Sequence, residues 1–125
     1  MNCLLISKKS NETVHDIEHF LFDHRIGYET VNDPYSGLQR AQEQHFDLII
    51  LDTGSQNTSI NQAIRLLKGC DPQTRIIVQT DSNSRALESA IRKEKVYYFH
   101  INSFGLKDLT IAIQSALRLN GIIES

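Results

Sequence analysis

Asp52 ends the apolar run Leu48-Ile49-Ile50-Leu51, and a carboxylate at the tip of such a run suits a nucleophile, a metal ligand or half of an ion pair. Three other apolar runs end in polar groups: Ser7-Lys8-Lys9 after Cys3–Ile6, Thr80-Asp81 after Ile76–Val78, and Asn102-Ser103-Phe104 after Val96–Ile101. His15-Asp16-Ile17-Glu18-His19 has the His i, i+4 spacing of a zinc-binding helix. No third ligand is apparent, however, and Ile17 and Leu21 claim the buried side, so a solvated helix face is the expectation. The loop Ser7–Thr13 carries hydroxyls and two lysines ahead of a helix, a place that can bind an anion. His24, His45 and His100 are scattered and receive no role. No nucleophile–base pair or glycine-rich phosphate loop appears, so an enzyme with its own turnover is not expected.

Five short apolar runs alternate with five helix-like segments. Ser10 or Asn11 can cap a helix in which Val14, Ile17 and Leu21 recur at helical spacing, with Gly27 as its stop. Tyr28–Val31 alternates as an edge strand, and Asp33-Pro34 reads as an N-cap with proline at the first helical position of a helix running to about His45. Leu48–Leu51 is apolar throughout, as in a central parallel strand covered on both faces. Ile60, Ala63, Ile64 and Leu67 mark a third helix stopped by Gly69. After the strand Ile76–Val78, Ser82 or Ser84 caps a helix that buries Leu87, Ala90 and Ile91. Val96–Ile101 forms the last strand, and Leu109, Ala112, Ile113, Ala116 and Leu117 face inward from a final helix closed by Gly121. This is a (βα)5 pattern: a flavodoxin-like three-layer sandwich with a parallel sheet of order 2-1-3-4-5 spanning residues 1–125 as one domain. In such sheets ligands meet the carboxyl ends of the strands, which is where Asp52, Ser7, Lys8, Thr80, Asp81 and Asn102 gather.

The order of these segments resembles the receiver domains of two-component signalling along essentially the whole chain. Phe46-Asp47-Leu48-Ile49-Ile50-Leu51-Asp52 is similar to the family's third strand, which ends in the phosphorylated aspartate. Ile76-Ile77-Val78-Gln79-Thr80 resembles the fourth strand, whose terminal hydroxyl hydrogen-bonds the phosphoryl group. Phe99 sits where the family has its rotating switch aromatic, and Asn102–Leu109 resembles the Lys-Pro-Phe segment leading into the last helix.

The chain departs from that pattern at the chemistry. The two acidic residues that bind Mg2+ after strand 1 are replaced by Ser7-Lys8, the strand-5 lysine by Asn102, its proline by Ser103, and the small residue after the strand-4 hydroxyl by Asp81. Mg2+ needs hard oxygen ligands, so its binding is doubtful and no cofactor is expected. The typical site carries three carboxylates and one lysine, whereas Asp52 and Lys8 sum to zero. At ~4 Å and an effective dielectric of about 20 their attraction is about 4 kcal/mol before desolvation. Lys8 is therefore expected to replace both metal and lysine by pairing with Asp52, unless Lys8 points to solvent or Asp81 joins Asp52 in a displaced metal site.

The resemblance implies a protein-interaction module of pseudo-receiver type, with Mg2+-dependent phosphorylation weak or absent. The alternatives are a conventional phospho-acceptor, with Asp52 as nucleophile and Thr80 as phosphoryl donor, and a small anion or nucleotide binder using the Ser7–Thr13 loop. Flavodoxins hold FMN phosphate with a hydroxyl-rich loop at this place, but this one lacks their glycine. The expected partners are a histidine kinase or downstream effector, or a second copy in a homodimer. The docking face would be helix 4–strand 5–helix 5, where Arg92-Lys93-Glu94-Lys95 and Tyr97-Tyr98-Phe99 lie. A net charge of −2 gives no general pull toward nucleic acid or anionic membrane. The apolar runs are strand-sized, and the leading segment puts its lysines after its apolar run, the reverse of a secretory signal. With only two cysteines, Cys3 and Cys70, a reducing, cytoplasmic setting is expected.

Overall fold

The computed structural model describes residues 1–8, 12–53, 60–81 and 84–118. Strands β1 (Asn2–Ile6), β2 (Gly27–Val31), β3 (Leu48–Asp52), β4 (Arg75–Thr80) and β5 (Tyr98–Ile101) alternate with helices α1 (Glu12–Asp23), α2 (Pro34–Glu43), α3 (Ile60–Cys70), α4 (Arg85–Arg92) and α5 (Lys107–Ala116). The strands pair in parallel in the order β2-β1-β3-β4-β5, the flavodoxin-like arrangement expected. No described helix is long and apolar enough to cross a membrane.

Strand alternation divides the core in two. Cys3, Leu5, Leu48, Ile50 and Ile77 face Ile17 and Leu21 of α1 and Leu109, Ala112 and Ile113 of α5. Leu4, Ile6, Ile49, Leu51, Ile76 and Val78 face Ile60, Ile64 and Leu67 of α3 and Ile91 of α4. Both faces of the middle strands are thus covered, which explains their unbroken apolar runs. Each fully buried Leu or Ile contributes about 1.5–3 kcal/mol. Helix α2 lies close over β1 at Gly37, where a Cβ would run into the Ile6 side chain.

The helix ends differ from the glycine stops expected of them. Gly27 does not terminate α1; it opens β2, its N–H donating to the Met1 carbonyl. The reversal is made by Arg25 at φ 57°, with Ile26 N–H donating to Leu21 O and Arg25 N–H to Phe22 O. That pair of bonds is a Schellman motif, fixed by the burial of Ile26 against Leu21. Gly69 likewise lies inside α3, which ends at Cys70 because Asp71 precedes Pro72 and is biased away from helical backbone. Helix α2 begins as expected, with Asp33 capping Ser36 N–H at 2.8 Å, but it stops at Glu43, two residues short of His45. Ser84 caps α4. Strand β5 starts at Tyr98 instead of Val96, since Lys95 at φ 59° still turns the chain out of α4. The expected caps Ser10, Asn11 and Ser82 and the stop Gly121 lie outside the described residues.

Candidate functional site

Register brings four polar side chains into one transverse row at the carboxyl edge. Ile6 pairs with Leu51, so the next residues, Ser7 and Asp52, stand opposite each other, and the Ser7 hydroxyl donates to Asp52 Oδ2 at 2.9 Å. Asp52 is the register partner of Gln79 on β4, and Gln79 that of His100 on β5. All four share strand parity with residues that pack toward α1 and α5, so they occupy one face of the sheet. Ser7, Gln79 and His100 are 4%, 0% and 2% exposed, while Asp52 is half-buried.

The row is bonded at its two ends. A hydroxyl donating to a carboxylate stabilises by about 1.5–3 kcal/mol. At the far end, burial pushes the His100 imidazole below its ordinary value, against the opposing effects of a hydrogen bond to the Gly105 backbone and the Asp108 charge. The ring is therefore neutral near pH 7, and it stacks with Tyr98 at a centroid separation of 6.1 Å. Between the ends, neither amide atom of Gln79 has a hydrogen-bond partner. Gln79 also serves through its backbone, its carbonyl accepting from Thr53 N–H at 2.9 Å.

The remaining candidates are distributed around this row. No ion pair among the described residues joins Lys8 to Asp52; Lys8 is exposed, and its charge instead helps to lower the Asp33 carboxyl, chiefly held down by hydrogen bonds from Ser36. Asp81 accepts from Asn102 Nδ2 at 2.7 Å, so it is engaged with β5's end and not with Asp52 in a shared site. Thr80 is fully buried, aligned with Ile101, one residue beyond the partner of Asp52. Phe99 is 6% exposed, with the Arg92 guanidinium 5.8 Å from its ring centroid. Ser103 is exposed in the single turn Asn102–Phe104 that leads toward α5. A cleft of about 200 Å³ beside this turn is lined by Glu12, Asp16, His100 and Asn102, among others. The middle of the Ser7–Thr13 loop lies outside the described residues. His15 and His19 are exposed on α1, with His15 3.3 Å from Glu18. The described residues contain no group of three His, Cys, Asp or Glu able to hold a metal.

Gln79 and His100 are the site residues that reading the sequence missed. Gln79 could have been noticed as an amide between the apolar run Ile76-Ile77-Val78 and Thr80, in a strand buried from Ile76 onward, and His100 as the residue that register sets beside it.

No family model and no curated protein matches the sequence. Solved structures do match in fold. The receiver domain of NtrC4 from Aquifex aeolicus superposes with a TM-score of 0.80 at 19% identity, covering 94% of this chain and 96% of that one. HP1043, an orphan response regulator of H. pylori, gives 0.79 at 17%, covering 94% and 96%. The beryllofluoride-activated NtrC4 receiver domain dimer gives 0.80 at 19%, covering 92% and 94%. Likeness at this level of identity establishes the fold: the chain has the architecture of receiver domains.

Proposed function

We propose that this chain is a receiver-like signalling domain, one unit over residues 1–125 acting in the cytoplasm, that passes information by protein contact, with Mg2+-dependent phosphorylation of Asp52 weak or absent. The observation that carries this reading is the placement of Asp52 at the carboxyl end of β3, bound by Ser7 Oγ where acidic residues would be needed to hold a metal. Mg2+ is usually held by one or two carboxylates with waters and substrate oxygens. Here Ser7 is a donor to Asp52, Lys8 brings a positive charge, and Asp81 is bonded to Asn102, so the described donor set does not fit the ion. A metal-poor site also leaves the charge of an incoming phosphoryl group unbalanced.

The docking face we assign is α4, β5 and α5. Arg92, Lys93 and Lys95 are exposed there, beside Tyr97 at 41% and Ile111 at 52% exposure. A kinase, an effector or a second copy of the chain would bind this surface; the NtrC4 receiver domain, of like fold, forms a dimer. We assign the domain no substrate turnover of its own.

A conventional phospho-acceptor is the second reading, favoured by the half-buried Asp52 with the Thr80 hydroxyl one strand away. Incubation with acetyl phosphate and Mg2+, read by intact mass, separates the two. The proposal expects no stoichiometric phosphoryl adduct. A full adduct that disappears in Asp52→Asn overturns it in favour of the second reading.

A further inference from the structure

We infer that Gln79 is a positioning residue that couples Asp52 to His100, its carboxamide turning to donate to the Asp52 carboxylate in one rotamer and to the His100 ring in the other. Its side chain is fully buried, and neither amide atom has a partner. Buried amides in native proteins are nearly always bonded, so a fully orphaned one calls for a specific explanation. Both register neighbours offer a matching acceptor. Asp52 presents a carboxylate. His100, neutral through burial and with one ring nitrogen bound to the Gly105 backbone, presents the other as an acceptor. Adjacent strands are about 4.8 Å apart, a gap that a carboxamide on two methylenes spans in either direction.

The coupling has a direction. Drawing the amide toward Asp52 takes it from His100, and His100 is bonded to Gly105, which holds φ 91° at the turn into α5. A change of charge at Asp52 on β3 therefore reaches the β5–α5 junction through one side chain. This deepens the signalling reading, on which its biological meaning rests, but the linkage itself needs no phosphoryl transfer.

The test is side-chain ¹⁵N NMR at fixed pH on the labelled full chain, comparing native, Asp52→Asn, Gln79→Met and the double variant. The expected result is that Asp52→Asn shifts both the His100 ring nitrogens and the Gln79 amide, and that the His100 shift is lost in the Gln79→Met background. An equal His100 response with methionine at 79 means that a direct field, and not the amide, carries the effect, and overturns the inference. So does a Gln79 amide unmoved by Asp52→Asn in the otherwise native chain, a measurement that decides even if Gln79→Met does not fold. Stoichiometric uptake of phosphate would overturn the metal-independent function without altering this result, because here the perturbation is Asp52→Asn itself.

Discussion

Replacing Ser7 with alanine asks what holds Asp52. The hydroxyl donates to Asp52 Oδ2 at 2.9 Å from a residue only 4% exposed, so water cannot easily take its place. A hydrogen bond to a charged group is worth about 1.5–3 kcal/mol and a neutral one about 0.5–1.5 kcal/mol. Ser7→Ala should therefore cost about 2 kcal/mol in the native chain and about 1 kcal/mol when Asp52→Asn has removed the charge. The resulting coupling of about 1 kcal/mol exceeds the usual scatter of additivity, about 0.3–0.5 kcal/mol. Lys8 is exposed, so Lys8→Met should change stability by no more than about 0.5 kcal/mol. Urea unfolding at pH 7, with the slope constant across variants, measures all of these. Equal costs of Ser7→Ala in both backgrounds would refute the bond. A Lys8→Met cost larger than that of Ser7→Ala would restore the lysine–aspartate pair expected from sequence.

His45 Nδ1 pairs with Asp71 and its Nε2 lies 3.3 Å from Asp47; the Asp71 hydrogen bond is the largest cause raising the imidazole, and His45 in turn lowers the Asp71 carboxyl. The histidine contribution is complete below the ordinary imidazole value and lost as pH rises through the raised one, whereas the Asp71 contribution is present above the ordinary aspartate value and lost as pH falls through the lowered one. His45→Gln should then cost most between about pH 4 and 6.5, by about 0.2–1 kcal/mol for so exposed a pair, and little at pH 9; an equal cost at both ends contradicts the assignment. Gly69→Ala, with open space around its Cβ, should stabilise α3 by about 0.5–1 kcal/mol, while Gly37→Ala should destabilise through overpacking against Ile6 of about 1–3 kcal/mol, partly offset by helix propensity. Thermal melts that move both variants in the same direction would refute that contrast.

The fold was legible because its signals are local and redundant. Ile17 and Leu21 on α1, Ile60 and Ile64 on α3, and Ile113 on α5 are all buried where the helical period puts them, and the apolar runs of β3 and β4 are both central strands. The helix ends are legible only where chemistry is single-valued: Asp33-Pro34 caps α2 as expected and Ser84 is the one of two candidate serines that caps α4, but Gly27 and Gly69 stop no helix. A glycine permits left-handed backbone without requiring it, and Arg25 adopts φ 57° because the Schellman bonds and the burial of Ile26 outweigh a strain of about 1–2 kcal/mol.

The site was half legible for a different reason. Asp52, Ser7 and Asn102 can be placed at strand ends because they follow apolar runs, but charge alone points to Lys8 as the partner of Asp52, and charge carries no direction. Direction comes from register: in a strand, successive side chains alternate faces, so the strand neighbours of Asp52 on its own face are the residues that the parallel pairing sets beside it. Those are Ser7 and Gln79, with His100 beyond, and none of the three is charged near neutral pH. A lysine balances a carboxylate from whatever angle its long stem allows, whereas a hydroxyl and an amide act only along their bonds. The hydroxyl of Ser7 is such an oriented donor to Asp52, and if the coupling inferred for Gln79 holds, a change of charge at Asp52 is answered by a carboxamide that turns.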